Sequence, residues 1–263
     1  MGVVENGPLA GLAFDALIAR DPANILGHSM AKRYAREGFP LLVKRIEAND
    51  DLSVQVHPGD DYVLGQSDTG KSEMWYVTGA LPDAYLLIGL KDGTTPEMLQ
   101  SNPLACLNRL PVKVGDIIDI PAGLVHAITR GIQVVEIQQN SDITYRLYDY
   151  DRLGLDGKPR PLHLKDGLAV ADFSNTHPKE AVSGNTVTNS YFTCIKYEIN
   201  NIYSEKSDPD NFSIFTCVEG ECRVGGVPVS QGRSVLVPAG LGGFTILAQG
   251  RAVLLKSFAT IKF

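Results

Sequence analysis

The sequence is poor in the side chains that usually build metal and redox sites. Its 263 residues include five His, four Cys and one Trp. The cysteines, Cys106, Cys194, Cys217 and Cys222, form no Cys-x-x-Cys pair, which argues against a zinc–thiolate site and against a disulfide framework in a chain of this length. We therefore expect reduced thiols, and any metal site has to combine a few histidines with other donors.

Long apolar runs and an excess of positive charge are also missing. No stretch approaches the roughly 18 apolar residues of a membrane span, and the first residues lack the basic and apolar regions of a secretory signal. The formal net charge is −6, which disfavours nucleic acid or an anionic membrane as the main partner. These absences predict a cytoplasmic protein with neither partner, and they allow a small anionic substrate.

What is present is a globular composition with many turn formers. Hydrophobic residues make up 44% and charged residues 21% of the chain, enough for a substantial core. Residues 8–38 have helical spacing of apolar residues, with Asp21 as a helix N-cap. Strands are predicted at 41–48, 52–56, 75–78, 84–90, 117–120 and 131–138, with a helical break at 94–110 and further short apolar runs after 191. This pattern predicts a β-sandwich or barrel.

The chain contains an internal repeat. Residues 115–123 and 232–240 both read Gly, five residues, Pro-Ala-Gly, and the segments 75–79 and 215–220 precede them as a second matched pair. Two motifs matched in the same order indicate a duplication, in which the first copy is longer by the segment that holds the helical break.

The first copy carries four side chains that could bind a metal ion, close to the repeated motifs. Gln55 and His57 are two residues apart and so share one face of a strand. Glu73 lies on the next strand, and His126 follows the Pro-Ala-Gly turn. On a small barrel these inward faces can converge on a divalent cation.

The second copy has lost the corresponding side chains. Ile214 stands where Glu73 stands in the first copy, and Gly243 stands where His126 does. We therefore expect one metal per chain and a structural second copy. The other histidines, His28, His163 and His177, are expected to serve ordinary surface or capping roles.

These motifs resemble the cupin double motif. Four segments in order are more closely similar to class I mannose-6-phosphate isomerases of the short bacterial type: 54–58 (VQVHP), 71–76 (KSEMWY), 121–127 (PAGLVHA) and 140–146 (NSDITYR). The resemblance implies a mainly β fold of two cupin (jelly-roll) β-barrels, with a small helical N-terminal segment and a helical insertion in the first barrel.

The resemblance also implies an activity, the reversible interconversion of mannose 6-phosphate and fructose 6-phosphate through an enediolate. It implies one Zn²⁺ held by Gln55, His57, Glu73 and His126. Lys71, Glu136 and Arg146 are the implied catalytic residues, and Lys71, Asp142 and Arg146 the substrate-binding ones. Arg146 can hold the phosphate or stabilise the enediolate, and either Lys71 or Glu136 can be the base.

The predicted domains are a catalytic metal-binding cupin with the helical segment (1–170) and a degenerate, metal-free cupin (171–263). The expected partner is a hexose 6-phosphate, and the expected state a monomer or weak homodimer. Family members carry some tens of residues before the segment that begins here at 3–8 (VVENGP), so we expect this family leader to be missing. The alternative is a non-catalytic sugar-binding or regulatory cupin that has lost activity with that leader. An iron oxygenase with a two-His-one-carboxylate triad fits Gln55, Lys71 and Arg146 less well.

Overall fold

A computed structural model describes residues 2–63, 68–154, 156–174 and 179–260. It is mainly β, as predicted. The helices are α1 (Phe14–Arg20), α2 (Pro22–Leu26), α3 (His28–Glu37), α4 (Pro96–Ser101), α5 (Pro103–Cys106) and α6 (Leu164–Val170), with short 3₁₀ turns at Gly7–Leu9 and Ala239–Leu241. The strands are β1 (Leu41–Glu47), β2 (Val54–Val56), β3 (Glu73–Ala80), β4 (Tyr85–Leu90), β5 (Leu107–Pro111), β6 (Ile117–Ile120), β7 (His126–Ile128), β8 (Ile132–Gln139), β9 (Tyr145–Tyr148), β10 (Thr186–Thr188), β11 (Phe192–Lys206), β12 (Ser213–Glu219), β13 (Glu221–Val224), β14 (Val227–Ser230), β15 (Ser234–Val237) and β16 (Gly243–Ala259).

The six strands predicted in the first half are confirmed, and the N-terminal helices are too. Asp21 caps α2, because its side chain accepts a hydrogen bond from the backbone N–H of Asn24 at 3.2 Å. The helical break is shorter than expected: α4 and α5 end at Cys106, and the chain continues directly into β5. After residue 191 the structure has two long strands, β11 and β16, where the sequence predicted short runs.

The chain forms two compact units, residues 41–187 and residues 1–40 with 188–263. The predicted division fell between residues 170 and 171, with the N-terminal helices in the first domain. The structure differs from it in two places. The N-terminal helices belong with the C-terminal strands, and residues 171–187 belong with the first unit. Apolar packing explains the first difference: the ring of Phe39 lies 4.9 Å from those of both Phe14 and Phe212, centroid to centroid.

Residues 41–187 form two sheets. One has the strand order β1-β8-β3-β6 and the other β5-β4-β7-β2-β9. Buried side chains from both sheets, among them Trp75, Ile88, Ile120 and Val134, form a single cluster. The sheets therefore pack face to face, in agreement with the jelly-roll layout expected for this half.

A separate apolar cluster covers the other face of the five-stranded sheet. It contains Val54 and Val56 of β2 and receives Leu164 and Leu168 of α6. Because successive side chains of a strand point to opposite faces, Gln55 points away from this cluster and toward the inner face. The short strand β2 is thus oriented by its two valines.

The second unit is built on the antiparallel pair β11 and β16. β12 pairs with β16 and β15, β13 pairs with β16 and β14, and buried residues such as Phe215, Ile246 and Leu254 form the core. The register of β11 shifts at Asn200 and Ile202, where Asn201 has a φ of 80°. Within the described ranges, the helices are all too short or too polar to cross a membrane.

Gly27 provides a test of how the N-terminal helices are held. Its φ is +92°, and an added Cβ would lie 2.1 Å from the carbonyl carbon of Asp210. We expect Gly27→Ala to lower the free energy of unfolding by roughly 2–6 kcal/mol, because backbone strain and overpacking add. Gly38→Ala is the matched control, since Gly38 has a φ of +77° and open space around it, and it should show the backbone strain alone, about 1–3 kcal/mol. Equal losses in urea unfolding would contradict this packing.

Candidate metal centre and active site

Three buried side chains from three strands or strand ends meet inside the first unit. His57 follows β2, Glu73 begins β3 and His126 begins β7. Their potential ligand atoms all lie within 4.8 Å of one another, and the His57 Nε2 to Glu73 Oε1 distance is 3.3 Å. Among the described residues, this is the one group of three or more His, Cys, Asp or Glu side chains that could hold a metal ion.

The Pro-Ala-Gly motif positions this cluster. Gly123 has a φ of +88°, a conformation that favours glycine, and its N–H donates to the carbonyl of His57 at 2.9 Å. The turn that precedes His126 is therefore tied to the end of β2. This explains physically why the glycine and the histidine three residues later occur together.

Both imidazoles are oriented by backbone carbonyls. Nδ1 of His57 lies 2.9 Å from the carbonyl oxygen of Ile143, and Nδ1 of His126 lies 2.8 Å from that of Leu124. A carbonyl only accepts, so Nδ1 carries the proton and Nε2 keeps its lone pair, as in metal-binding histidines.

The cluster contains buried polar atoms with unused bonding capacity. Nε2 of His126 has no hydrogen-bond partner in the described part of the chain, and Oε1 of Glu73 meets nitrogens of Lys71 and His57 at 3.1 and 3.3 Å. Leaving a buried polar atom such as Nε2 of His126 unsatisfied is costly, and a cation bound to this atom and to Oε1 of Glu73 would satisfy it. The side chains present therefore fit a divalent metal.

Protonation states in the cluster suit a cation. Burial lowers the pKa of His126 to about 3, and burial also lowers the pKa of His57. Burial alone would raise the pKa of Glu73, but its interactions with His57 and Lys71 outweigh this and hold the pKa below its ordinary value. Two neutral imidazoles and a carboxylate are the forms that bind metals.

Gln55 is the predicted fourth ligand, and it lies on the same face of the sheet as His126. It is directly opposite His126 in the pairing of β2 with β7, and opposed residues of antiparallel strands project their side chains to the same face. Gln55 as a ligand remains a prediction.

Lys71 is brought directly to the cluster. Its side chain is buried, with Nζ 3.1 Å from Oε1 of Glu73 and 3.4 Å from Nε2 of His57. The side chains of Lys71 and Glu73 therefore meet in the same place. An ammonium at this place competes with a metal for the same lone pairs.

Glu136 lies in a second buried polar group on β8. Its Oε2 accepts a hydrogen bond from Nε1 of Trp75 at 2.9 Å, and the Trp75 ring meets the His126 ring edge-on, 5.2 Å between centroids. Burial, with a contribution from the charge of Glu73, raises the pKa of Glu136 to about 7.

The partner of Glu136 that sequence reasoning missed is Lys44. Its Nζ lies 3.4 Å from Oε1 of Glu136 and donates to Oε1 of Gln138 at 2.6 Å. The sequence shows Lys44 as a charged residue within the apolar run of β1. Only the pairing of Lys44 with Glu136 across β1 and β8 shows that the two side chains meet.

Arg146 and Asp142 occupy different environments. Arg146 is opposite Gln55 in the pairing of β2 with β9, and its Nε is buried without a hydrogen-bond partner among the described residues. Asp142 is exposed, and its backbone N–H donates to Asp68 at 3.4 Å. The structure thus brings Lys71 to the cluster of His57, Glu73 and His126. It places Arg146 opposite Gln55 and leaves Asp142 at the surface.

Among the described residues, neither the other histidines nor the second repeat add a ligand to the cluster. His28 begins α3, and His163 accepts a hydrogen bond through Nδ1 from the backbone N–H of Arg146 at 3.2 Å. His177 lies outside the described residues.

Comparison with known proteins identifies the family. Two proteins of Bacillus subtilis (strain 168) are similar: the probable mannose-6-phosphate isomerase GmuF, 36% identical over 92% of this chain and 81% of its own length, and the mannose-6-phosphate isomerase ManA, 35% identical over 93% and 81%. The chain belongs to the mannose-6-phosphate isomerase family. This confirms the predicted class of enzyme, an aldose–ketose isomerase.

The fold agrees with this assignment. The crystal structure of the mannose 6-phosphate isomerase from Bacillus subtilis matches with a TM-score of 0.81 and 30% identity, covering 97% of this chain and 84% of that one. A putative mannosephosphate isomerase from Archaeoglobus fulgidus, at 20% identity and a TM-score of 0.77, shares the fold. The family model for the mannose-6-phosphate isomerase cupin domain matches residues 183–257, which include the repeat that lacks the ligands.

The raised pKa of Glu136 predicts how the free energy of unfolding of this chain depends on pH. The measurement is best made with a chelator present. Because the pKa of Glu136 is about 7 in the folded chain and ordinarily near 4.3, the folded state retains a proton between these values and loses stability as pH rises through them. The Glu136→Gln variant has no ionisable group at this position, so its stability does not fall with pH for this reason. From pH 5 to pH 8 the variant should gain about 2–3 kcal/mol relative to the parent chain, measured by urea unfolding.

The control for this comparison is Glu47→Gln on β1, where the side chain is about half exposed. Because solvent reaches this side chain, the difference from the parent chain should vary much less between pH 5 and pH 8 than that of Glu136→Gln. A constant difference for Glu136→Gln would show that Glu136 is ionised throughout.

Proposed function

We propose that this chain interconverts mannose 6-phosphate and fructose 6-phosphate, with one Zn²⁺ per chain held by Gln55, His57, Glu73 and His126. The observation that carries the proposal is the buried Nε2 of His126, which has no hydrogen-bond partner among the described residues and belongs to the cluster with His57 and Glu73. The named relatives support the substrate, since they are mannose-6-phosphate isomerases. Residues 41–187 then form the catalytic unit, and the other unit is metal-free.

The donor set favours zinc among divalent ions. Two neutral imidazole nitrogens and one carboxylate are typical zinc ligands, and Gln55 offers an amide oxygen from the same face as His126. A metal bound there supplies Lewis-acid polarisation of the substrate oxygens on C1 and C2.

The reaction moves a proton between C1 and C2 and develops negative charge on oxygen. Lys71 and Glu136 are both candidates for the base. Lys71 is supported by its position, 3.1 Å from the ligand Glu73. Glu136 is supported by its pKa of about 7, which suits a base at neutral pH. Lys44 and Trp75 would then hold the two oxygens of Glu136 in a defined orientation.

Arg146 is proposed to bind the anionic parts of the substrate. Its guanidinium is cationic at all relevant pH values. Its Nε is buried and Nη1 donates one hydrogen bond to the carbonyl of Pro161, so the other Nη hydrogens are the ones that can donate to a phosphate or to the enediolate oxygen. Asp142, being exposed, can contribute to substrate binding only at the edge of the pocket.

The metal assignment predicts the behaviour of His126→Ala. The variant should lose stoichiometric zinc, and added zinc should no longer raise its Tm, because a ligand stabilises a fold only where it binds. Metal analysis after dialysis and thermal unfolding with and without zinc measure both effects. His28→Ala is the matched control and should retain one zinc per chain. Full zinc content in His126→Ala would refute the site.

The role of Arg146 predicts that Arg146→Ala lowers kcat/KM for mannose 6-phosphate about 100-fold, the size expected when one donor to developing charge is lost. A coupled isomerase assay measures it, and the zinc content should not change. Arg45→Gln removes an exposed arginine from β1 and should retain full activity. An unchanged kcat/KM in Arg146→Ala would remove this role. A parent chain that binds the sugar phosphate without turnover would support the sugar-binding alternative.

A further inference from the structure

A short segment after β9 folds back onto Arg146. The backbone of Arg146 is bonded on both sides to His163: the N–H of His163 donates to the Arg146 carbonyl at 2.8 Å, and the Arg146 N–H donates to Nδ1 of His163 at 3.2 Å. The Arg146 side chain is held as well, since Nη1 donates to the carbonyl of Pro161 at 3.1 Å. Residues 160–163, called the return segment below, thus fix both the backbone and the guanidinium of Arg146.

The return segment is anchored by an ion pair at its first residue. Arg160 donates through Nε to Oδ2 of Asp149 at 2.6 Å and through Nη2 to Oδ1 of the same carboxylate. Asp149 is buried, with 4% of its surface exposed, and it lies directly after β9. A bidentate pair of this kind sets orientation as well as distance.

We infer that the Asp149–Arg160 ion pair positions Arg146 for catalysis. This rests on the proposed role of Arg146 in binding the substrate anion. Asp149 is three residues beyond Arg146 on the same chain, and Arg160 immediately precedes the Pro161 carbonyl that receives Nη1. The ion pair therefore closes a loop whose far end meets the Arg146 guanidinium, and its loss would free the acceptor that orients Nη1.

The charge around the return segment also favours an anionic ligand. Arg152 lies 3.6 Å from Asp149, so two guanidinium groups share one buried carboxylate. Arg146 forms no ion pair with a carboxylate among the described residues, although the charge of Asp149 acts on it, and Nη1 donates one of its hydrogens to Pro161. The return segment thus holds a cation whose Nη groups keep donors for a substrate, and errors of about 1 Å in such a group cost on the order of 100-fold in rate.

Arg160 acting through Arg146 has a different kinetic signature from Arg160 touching the substrate directly. A positioning residue has nothing left to position once Arg146 is removed, so the two losses do not add. A residue with its own substrate contact adds its loss to that of Arg146. The double variant separates the two roles.

The experiment compares Arg160→Gln, Asp149→Asn, Arg146→Ala and the double variant Arg146→Ala/Arg160→Gln with mannose 6-phosphate. We expect Arg160→Gln and Asp149→Asn each to lower kcat/KM about 10- to 100-fold, divided between kcat and KM as in Arg146→Ala. The double variant should lie within about threefold of Arg146→Ala. Arg160→Lys keeps the charge but not the bidentate geometry, and it should recover part of the activity.

Arg45→Gln is the control, and zinc content and circular dichroism check that each variant is folded. If Arg160→Gln fails to fold, the comparison is made with Arg160→Lys alone and combined with Arg146→Ala. Additive losses in the double variant, or a kcat and KM division unlike that of Arg146→Ala, would overturn the inference and leave the proposed function intact. Full activity in Arg146→Ala would instead refute the proposed role of Arg146, and the inference with it.

Discussion

Burial of the His57, Glu73 and His126 cluster is the constraint on which residues 41–187 depend. Three polar side chains converge in a core formed by two apolar sheets, and their facing atoms are poorly satisfied by protein partners. Such a cluster is stable only if each group is oriented and kept in one protonation state. The carbonyls of Leu124 and Ile143 orient the two imidazoles, and desolvation keeps them neutral.

The surrounding charges follow from the same burial. Lys71 compensates Glu73 at 3.1 Å, and Lys44 compensates Glu136 at 3.4 Å, so each buried acid is matched by a cation. The two acids nevertheless have different pKa values: the pKa of Glu73 is lowered, whereas that of Glu136 is raised to about 7. Two carboxylates with separated pKa values in one interior are a common arrangement for acid–base chemistry. Arg146 is fixed by other contacts, with the backbone and side chain of His163 and with the carbonyl of Pro161.

The two repeats of the chain differ at the proposed ligand positions. The second repeat keeps the Pro-Ala-Gly turn but has Ile214 and Gly243 at the ligand positions, and its interior is apolar. The helices before residue 41 belong to this unit rather than to the one that follows them in sequence. Gly27 shows the closeness of that packing, because an added Cβ would overlap the backbone of Asp210.

The sequence by itself determined the mainly β fold, six of the nine strands before residue 150 and the set of ligand candidates, because these depend on local alternation, turn residues and motif spacing. It could not show that Lys44 faces Glu136, that residues 160–163 return to Arg146, or that the N-terminal helices join the C-terminal strands. Those contacts join residues far apart in the chain, and only strand register and packing decide them. For the same reason the sequence grouped Asp142 with Arg146 among the substrate-binding residues, whereas the tertiary structure exposes Asp142 and buries the Nε of Arg146.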